Sequence, residues 1–120
     1  MRTLQGDKIL SVIRSHVGSD NAISARDICL ELGWSAGARE RAVRRIIADE
    51  SALWSNGGHL VCALNGGRGV TGYFVAATFE EAETYYNWLL SLSAVANRKV
   101  FNFREACSKM GLRFSHKKAA

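Results

Sequence analysis

Proline is absent from the 120 residues. No proline-rich linker divides the chain, so its breaks fall to glycine and short polar clusters. Cysteine is scarce. Cys29, Cys62 and Cys107 are odd in number, far apart and without any Cys-x-x-Cys pair, which excludes a zinc ribbon and a thioredoxin-like redox motif. Each sits among apolar neighbours, as in Asp27-Ile28-Cys29-Leu30, and is expected as a buried free thiol. Long hydrophobic runs are missing too. None approaches the roughly 18 residues of a membrane span, and the polar stretch Met1 to Lys8 lacks an apolar h-region, so no secretory signal is expected. A cytoplasmic protein is expected. With 48% hydrophobic and 22% charged residues, the composition is that of one ordinary globular domain.

Catalytic and metal-binding sets are equally sparse. His16, His59 and His116 have no partners at ligand spacing, and His59 with Cys62 on one strand is too little for zinc. No Ser/His/Asp set or pair of carboxylates stands out, and Glu80, Glu81 and Glu83 are accounted for by the start of a helix. No enzyme, metal or other cofactor is expected.

Bases exceed acids. The net charge of +5 favours an anionic partner, but its distribution weakens the point. Residues 1–77 carry nine Lys and Arg against seven acids, residues 78–96 carry three acids and no base, and residues 97–120 carry seven bases and one acid. Most of the excess is thus in the tail, where a solvated end suffices to explain it.

The ordered part punctuates itself. Ile9, Leu10, Ile13 and Val17 fall on one face of a helix over Asp7 to Val17, ended by Gly18-Ser19-Asp20-Asn21. Ser24 with Asp27 three residues on caps a second, short helix, stopped by Gly33 as a left-handed C-cap. Ser35 can cap a third helix to about Ser51, with Val43, Ile46 and Ile47 as its apolar stripe. The runs His59 to Leu64 and Tyr73 to Ala77 flank a glycine-rich loop and predict a hairpin. Thr78-Phe79-Glu80-Glu81 is a full capping box that starts a long helix. Tyr85, Leu89, Leu92 and Ala96 form a short seam on it. Asn102 with Glu105 can restart a further helix that Gly111 ends. The expected class is α+β, mostly α. Residues 1–77 would form the main domain, 78–114 a helical extension, and 115–120 a basic disordered tail.

The order helix, helix, tight turn, helix, strand, loop, strand over residues 7–77 resembles the winged helix-turn-helix fold. Ile23 to Ser35, with Glu31-Leu32-Gly33 before Trp34 and Ser35, resembles the helix-to-turn segment of prokaryotic regulators. Arg39-Glu40-Arg41-Ala42-Val43-Arg44-Arg45-Ile46-Ile47 is similar to recognition helices of small phage and prophage winged-helix proteins. Gly72-Tyr73-Phe74-Val75-Ala76 is similar to their wing-closing strand. The resemblance implies a DNA-binding regulator or replication accessory, with double-stranded DNA as partner.

A recognition helix must bury one face and turn the other to the major groove. With Val43 set toward the core and roughly 100° per residue, Arg41 and Arg45 point away from it and Arg44 lies to one side. These three arginines are the candidate base and phosphate contacts. Ser35, at the helix start, can bind a phosphate together with nearby N–H groups. Arg39 borders the core face and serves either DNA or an ion pair with Asp27, Glu31 or another acid. In the loop over residues 65–72, Asn65 and Arg68 are the wing candidates, Arg68 for the minor groove or phosphate. A nucleotide-phosphate reading of Asn65 to Gly69 fails, since no Lys-Ser/Thr follows and a strand rather than a helix comes next.

Tyr85, Tyr86, Trp88, Leu89, Leu90 and Leu92 make the extension unusually apolar. It either packs back on the first unit or forms a homodimer seam suited to a palindromic site. A rival reading makes the chain a protein–protein adaptor, or an inhibitor of host machinery, working through this helix.

Overall fold

The computed structural model describes residues 3–65, 70–91 and 97–112. It is α+β and mostly α: five α-helices and a two-stranded antiparallel sheet among the described residues. No helix in it is long and apolar enough to cross a membrane.

Helix α1 spans Leu4–Ile13, earlier than the apolar spacing predicts. Its N-cap is Thr3, whose hydroxyl accepts the Gly6 N–H at 2.9 Å. This cap sits a turn ahead of Asp7, which is the first residue that the helix pattern marks. Ile9, Leu10 and Ile13 are buried as expected, but Val17 lies beyond the helix and is half exposed. The reason is a competing partner. Val17 forms a parallel bridge with Val75, in which Gly18 N–H donates to Val75 O and Val75 N–H to His16 O, both at 2.9 Å. Ile23 and Tyr73 then exchange two 2.8 Å hydrogen bonds. The segment between α1 and the next helix thereby covers the outer edge of the hairpin, which would otherwise present unpaired backbone groups.

Helix α2, Ala25–Leu32, begins at Ser24, whose Oγ accepts the Asp27 N–H at 3.1 Å. It ends at Gly33 with φ 73°, where Trp34 N–H reaches Cys29 O at 2.8 Å and Gly33 N–H reaches Leu30 O at 3.2 Å. This is the Schellman pairing, and glycine adopts its left-handed turn without a Cβ penalty. Helix α3, Ala36–Glu50, buries Val43 and Ile47. Ser35 stands at its N-cap, yet its hydroxyl accepts none of the helix N–H groups. A 3₁₀ helix, Ser51–Gly57, follows and carries the wholly buried Trp54.

Strands β1, Val61–Asn65, and β2, Val70–Val75, pair antiparallel, with Cys62 opposite Phe74 and an irregularity at Leu64–Asn65. Val70, Thr71 and Gly72, expected in the loop over 65–72, belong to β2, and residues 66–69 lie outside the described residues. Side chains alternate across the hairpin. Val61, Tyr73 and Val75 join α1, α2, α3 and Trp54 in one core. Leu60, Cys62 and Phe74 join a second core with helices α4, Phe79–Leu90, and α5, Asn97–Lys109.

The extension therefore forms two helices, and it packs back on the hairpin. The second begins at Asn97 rather than at Asn102 and is followed by Gly111 with φ 79°. Helix α4 buries Ala82, Tyr86 and Leu89, and Tyr85 packs edge-on to Phe103 at 4.9 Å. Leu92 and Ala96 of the expected seam, and residues 113–120 with the tail, lie outside the described residues. All three cysteines are buried free thiols. Burial pushes Cys107 up to about 12 and raises Cys62 further.

Two carboxylates tie distant segments. Glu50, buried at the end of α3, accepts Thr3 N–H at 3.0 Å and Thr3 Oγ1–H at 2.8 Å. A methyl group on Gly6 would collide with Glu50 Oε1. Glu81 goes beyond the capping box. Thr78 Oγ1 accepts its N–H at 3.2 Å, as expected. Its carboxylate takes Ala77 N–H and, across the fold, Ser19 N–H, each at 2.8 Å.

Glu50→Ala is expected to lower stability by about 1–3 kcal/mol, measured by urea unfolding. Gly6→Ala should destabilise the parent and cost less in the Glu50→Ala variant, where helix propensity favours it and only Thr3 Oγ1, 3.2 Å from the added methyl, still crowds it. Stabilisation in both backgrounds would refute the steric role of the carboxylate. The N–H donors from Ser19 and Ala77 hold the Glu81 carboxyl below its ordinary range. Its stabilising effect is thus complete above the ordinary carboxylate value and is lost as pH falls through the depressed folded value. Glu81→Gln should flatten the acid limb of a stability-versus-pH curve, and an unchanged limb would contradict the assignment.

Candidate nucleic-acid interface

The joint between α2 and α3 is closed by a cap and by packing. Gly33 closes α2, and Trp34 is half-buried against the first core. Because Val43 and Ile47 fill the core beneath α3, the opposite face of the helix is left to solvent. Arg41 and Arg45 are exposed there, and among the described residues no carboxylate pairs with either. Two guanidinium groups one turn apart repel each other weakly, and Asp49, one turn beyond Arg45, forms no ion pair with it among the described residues. Nothing in the fold benefits from that repulsion, whereas an anionic ligand would relieve it.

Arg44 behaves differently. It leans to the flank of α3, where its Nη2 lies 3.4 Å from Glu40 Oε1, one turn back. The arginine side chain is 53% exposed, so this pair contributes little to stability. The same flank faces α4 and α5: Arg44 and Ile47 of α3, Tyr73 of β2, and Tyr85, Trp88 and Phe103 line one cleft.

Arg39 is held by an aromatic ring rather than by an acid. Its guanidinium carbon lies 4.7 Å from the centroid of the Trp34 ring, a cation–π distance. The ion pair with Asp27, Glu31 or another acid, one of the two alternatives for Arg39, is not formed among the described residues. Its Nε is buried with no hydrogen-bond partner, a cost to the fold unless the ring contact offsets it. Arg39 thus acts first as a clamp between the α2–α3 turn and α3. The pattern that shows it, an aromatic residue five positions before an arginine across a helix start, is legible only once the turn geometry is known.

Ser35 is exposed at the start of α3 with its hydroxyl unused by the cap, so hydroxyl and first-turn N–H groups remain open to a phosphate. Asn65 stands at the end of β1 opposite Val70. Arg68 lies outside the described residues.

The residues expected to meet a partner on α4 are placed mainly inside. Tyr86 is 2% exposed and Leu89 1%, because β1 and β2 need cover on this side. Tyr85 and Trp88 are half-buried, their rings stacked at 5.9 Å. Leu90 and, from α5, Phe101 are exposed instead. Among the described residues no group of His, Cys, Asp and Glu could hold a metal ion. His16 is engaged with Asn21 O at 2.8 Å through Nδ1. No family model, curated protein or solved structure matches the chain.

The ring contact can be tested by a double-mutant cycle. Trp34→Leu and Arg39→Leu should each destabilise, with a coupling of about 0.5–1 kcal/mol. Strict additivity would show that the guanidinium draws nothing from the indole.

Proposed function

We propose that the chain is a DNA-binding protein of winged-helix type, a transcriptional regulator or replication accessory of the kind carried by phages and prophages. In this reading α3 enters the major groove and the β1–β2 hairpin acts as the wing. The observation that carries it is the unpaired Arg41 and Arg45 on the outer face of α3, directly after a capped helix and a tight turn. Arg41 and Arg45 contact bases or phosphates, Ser35 a phosphate at the helix start, and Asn65 and Arg68 the backbone or minor groove. Arg39 orients the helix from Trp34. The covering segment at Val17 and Ile23 supports the reading as well, since it holds the hairpin in a fixed direction relative to α3.

Self-association on a two-fold DNA site would use the outer side of α4 and α5, where Leu90 and Phe101 are exposed. Tyr86 and Leu89 support the fold and are withdrawn from that role.

Fluorescence anisotropy with random-sequence duplex across a salt series tests the proposal. Affinity is expected to fall steeply with salt, as counterions are released from phosphates. Arg41→Ala with Arg45→Ala should cost about 2 kcal/mol or more in binding, with native circular dichroism. Absence of binding at low salt by a folded wild-type chain would reject the DNA reading and favour a protein–protein adaptor using Leu90 and Phe101.

A further inference from the structure

The cleft on the flank of α3 has a volume of about 470 Å³, within the usual range for a small-molecule site. Its wall is made by both halves of the fold: α3 and the hairpin on one side, α4 and α5 on the other. Tyr73, Tyr85, Trp88 and Phe103 contribute aromatic surface to it, and alanines at 48, 52, 63 and 106 keep it open. Among the described residues that line it, Arg44 alone carries a charge.

That combination selects a ligand. Aromatic walls favour a flat apolar body, which can stack or pack edge-on. A lone guanidinium whose one ion pair among the described residues is a 3.4 Å contact to Glu40 can make the shorter, bidentate pair that a carboxylate offers. A dianion or polyphosphate would bring charge that no second base in the described lining matches, and a cation would meet Arg44 unfavourably. Tyr73, buried beside the cleft, has its phenol raised by burial, so its hydroxyl keeps its proton.

We propose that this cleft binds a small planar aromatic monoanion, with its carboxylate on Arg44 and its ring among Tyr85, Trp88 and Phe103. The consequence for DNA rests on the reading of α3 given above. A ligand there grips the flank of the helix that carries Arg41 and Arg45, so ligand and DNA change each other's affinity. The direction expected is antagonism. A bound anion neutralises Arg44 and adds negative charge beside the groove-facing surface, which lowers affinity for phosphate.

The test begins without DNA. Naphthoate is titrated into the full chain by isothermal titration calorimetry, with naphthylmethanol as the uncharged comparison. Naphthoate should bind, and the alcohol should bind about tenfold or more weakly. Arg44→Gln should remove that preference while leaving the alcohol unchanged. Ala48→Phe, at an exposed position of α3 that lines the cleft, should abolish binding of both, with native circular dichroism showing that the fold survives. Failure of naphthoate to bind the folded wild type at millimolar concentration would overturn the proposal, as would equal binding of acid and alcohol or binding unaffected by Ala48→Phe. Anisotropy with duplex is then repeated with saturating naphthoate, where a several-fold loss of DNA affinity is expected. DNA binding without naphthoate binding would sink the cleft and leave the DNA reading standing. Naphthoate binding without any DNA binding would leave the cleft standing and sink the DNA reading with its coupling.

Discussion

A two-stranded hairpin with both faces apolar must be covered twice, and the remainder of the fold follows from that requirement. Val61, Tyr73 and Val75 point into one core, Leu60, Cys62 and Phe74 into the other. An isolated hairpin of this size is marginal in water. Here it becomes a shared wall: α1, α2 and α3 close one side and α4 and α5 the other. The extension is therefore part of the stabilising architecture. Its aromatic density is explained first by the wall it covers, which is why Tyr86 and Leu89 are withdrawn from the surface.

Long-range polar ties then join segments far apart in the chain. The Glu50 carboxylate joins the end of α3 to the start of α1, and the Glu81 carboxylate joins the start of α4 to the turn at Ser19. Each satisfies N–H groups near a helix or turn start, where orphan donors would otherwise be left. Both carboxylates serve structure, and both are removed from the pool of acids that might neutralise the arginines of α3. Of the acids on α3 itself, Asp49 stands one turn from Arg45 without an ion pair among the described residues, and Glu40 engages Arg44.

The arginines of α3 consequently divide into three roles. Arg39 lies over Trp34 and secures the turn. Arg41 and Arg45 face solvent without an ion pair among the described residues. Arg44 turns to a cleft that exists only because α4 and α5 approach the same hairpin as α3. A single helix thus presents a basic solvent-facing surface and, on its flank, a contact to the second half of the fold, so that a change at one can reach the other through the same helix.

The local chemistry of the chain was legible by itself. Ser24 and Thr78 as caps, Gly33 as a left-handed stop and the stripe of Val43, Ile46 and Ile47 depend on residues within a turn of one another, so spacing determines them. The limits of α1 were misplaced because Thr3 is followed three residues on by Gly6 rather than by a carboxylate, and because Val17 continues the helical spacing while its backbone pairs with Val75. What only the tertiary structure decided involves partners far apart in the chain. Glu50 meets Thr3 across 47 positions and Glu81 meets Ser19 across 62. The two-sided burial of the hairpin, the inward turn of Tyr86 and Leu89, and the placing of Arg44 in a cleft all arise from which faces come together. Periodicity tells that a face is apolar, but the face that covers it is set by the packing of the whole chain.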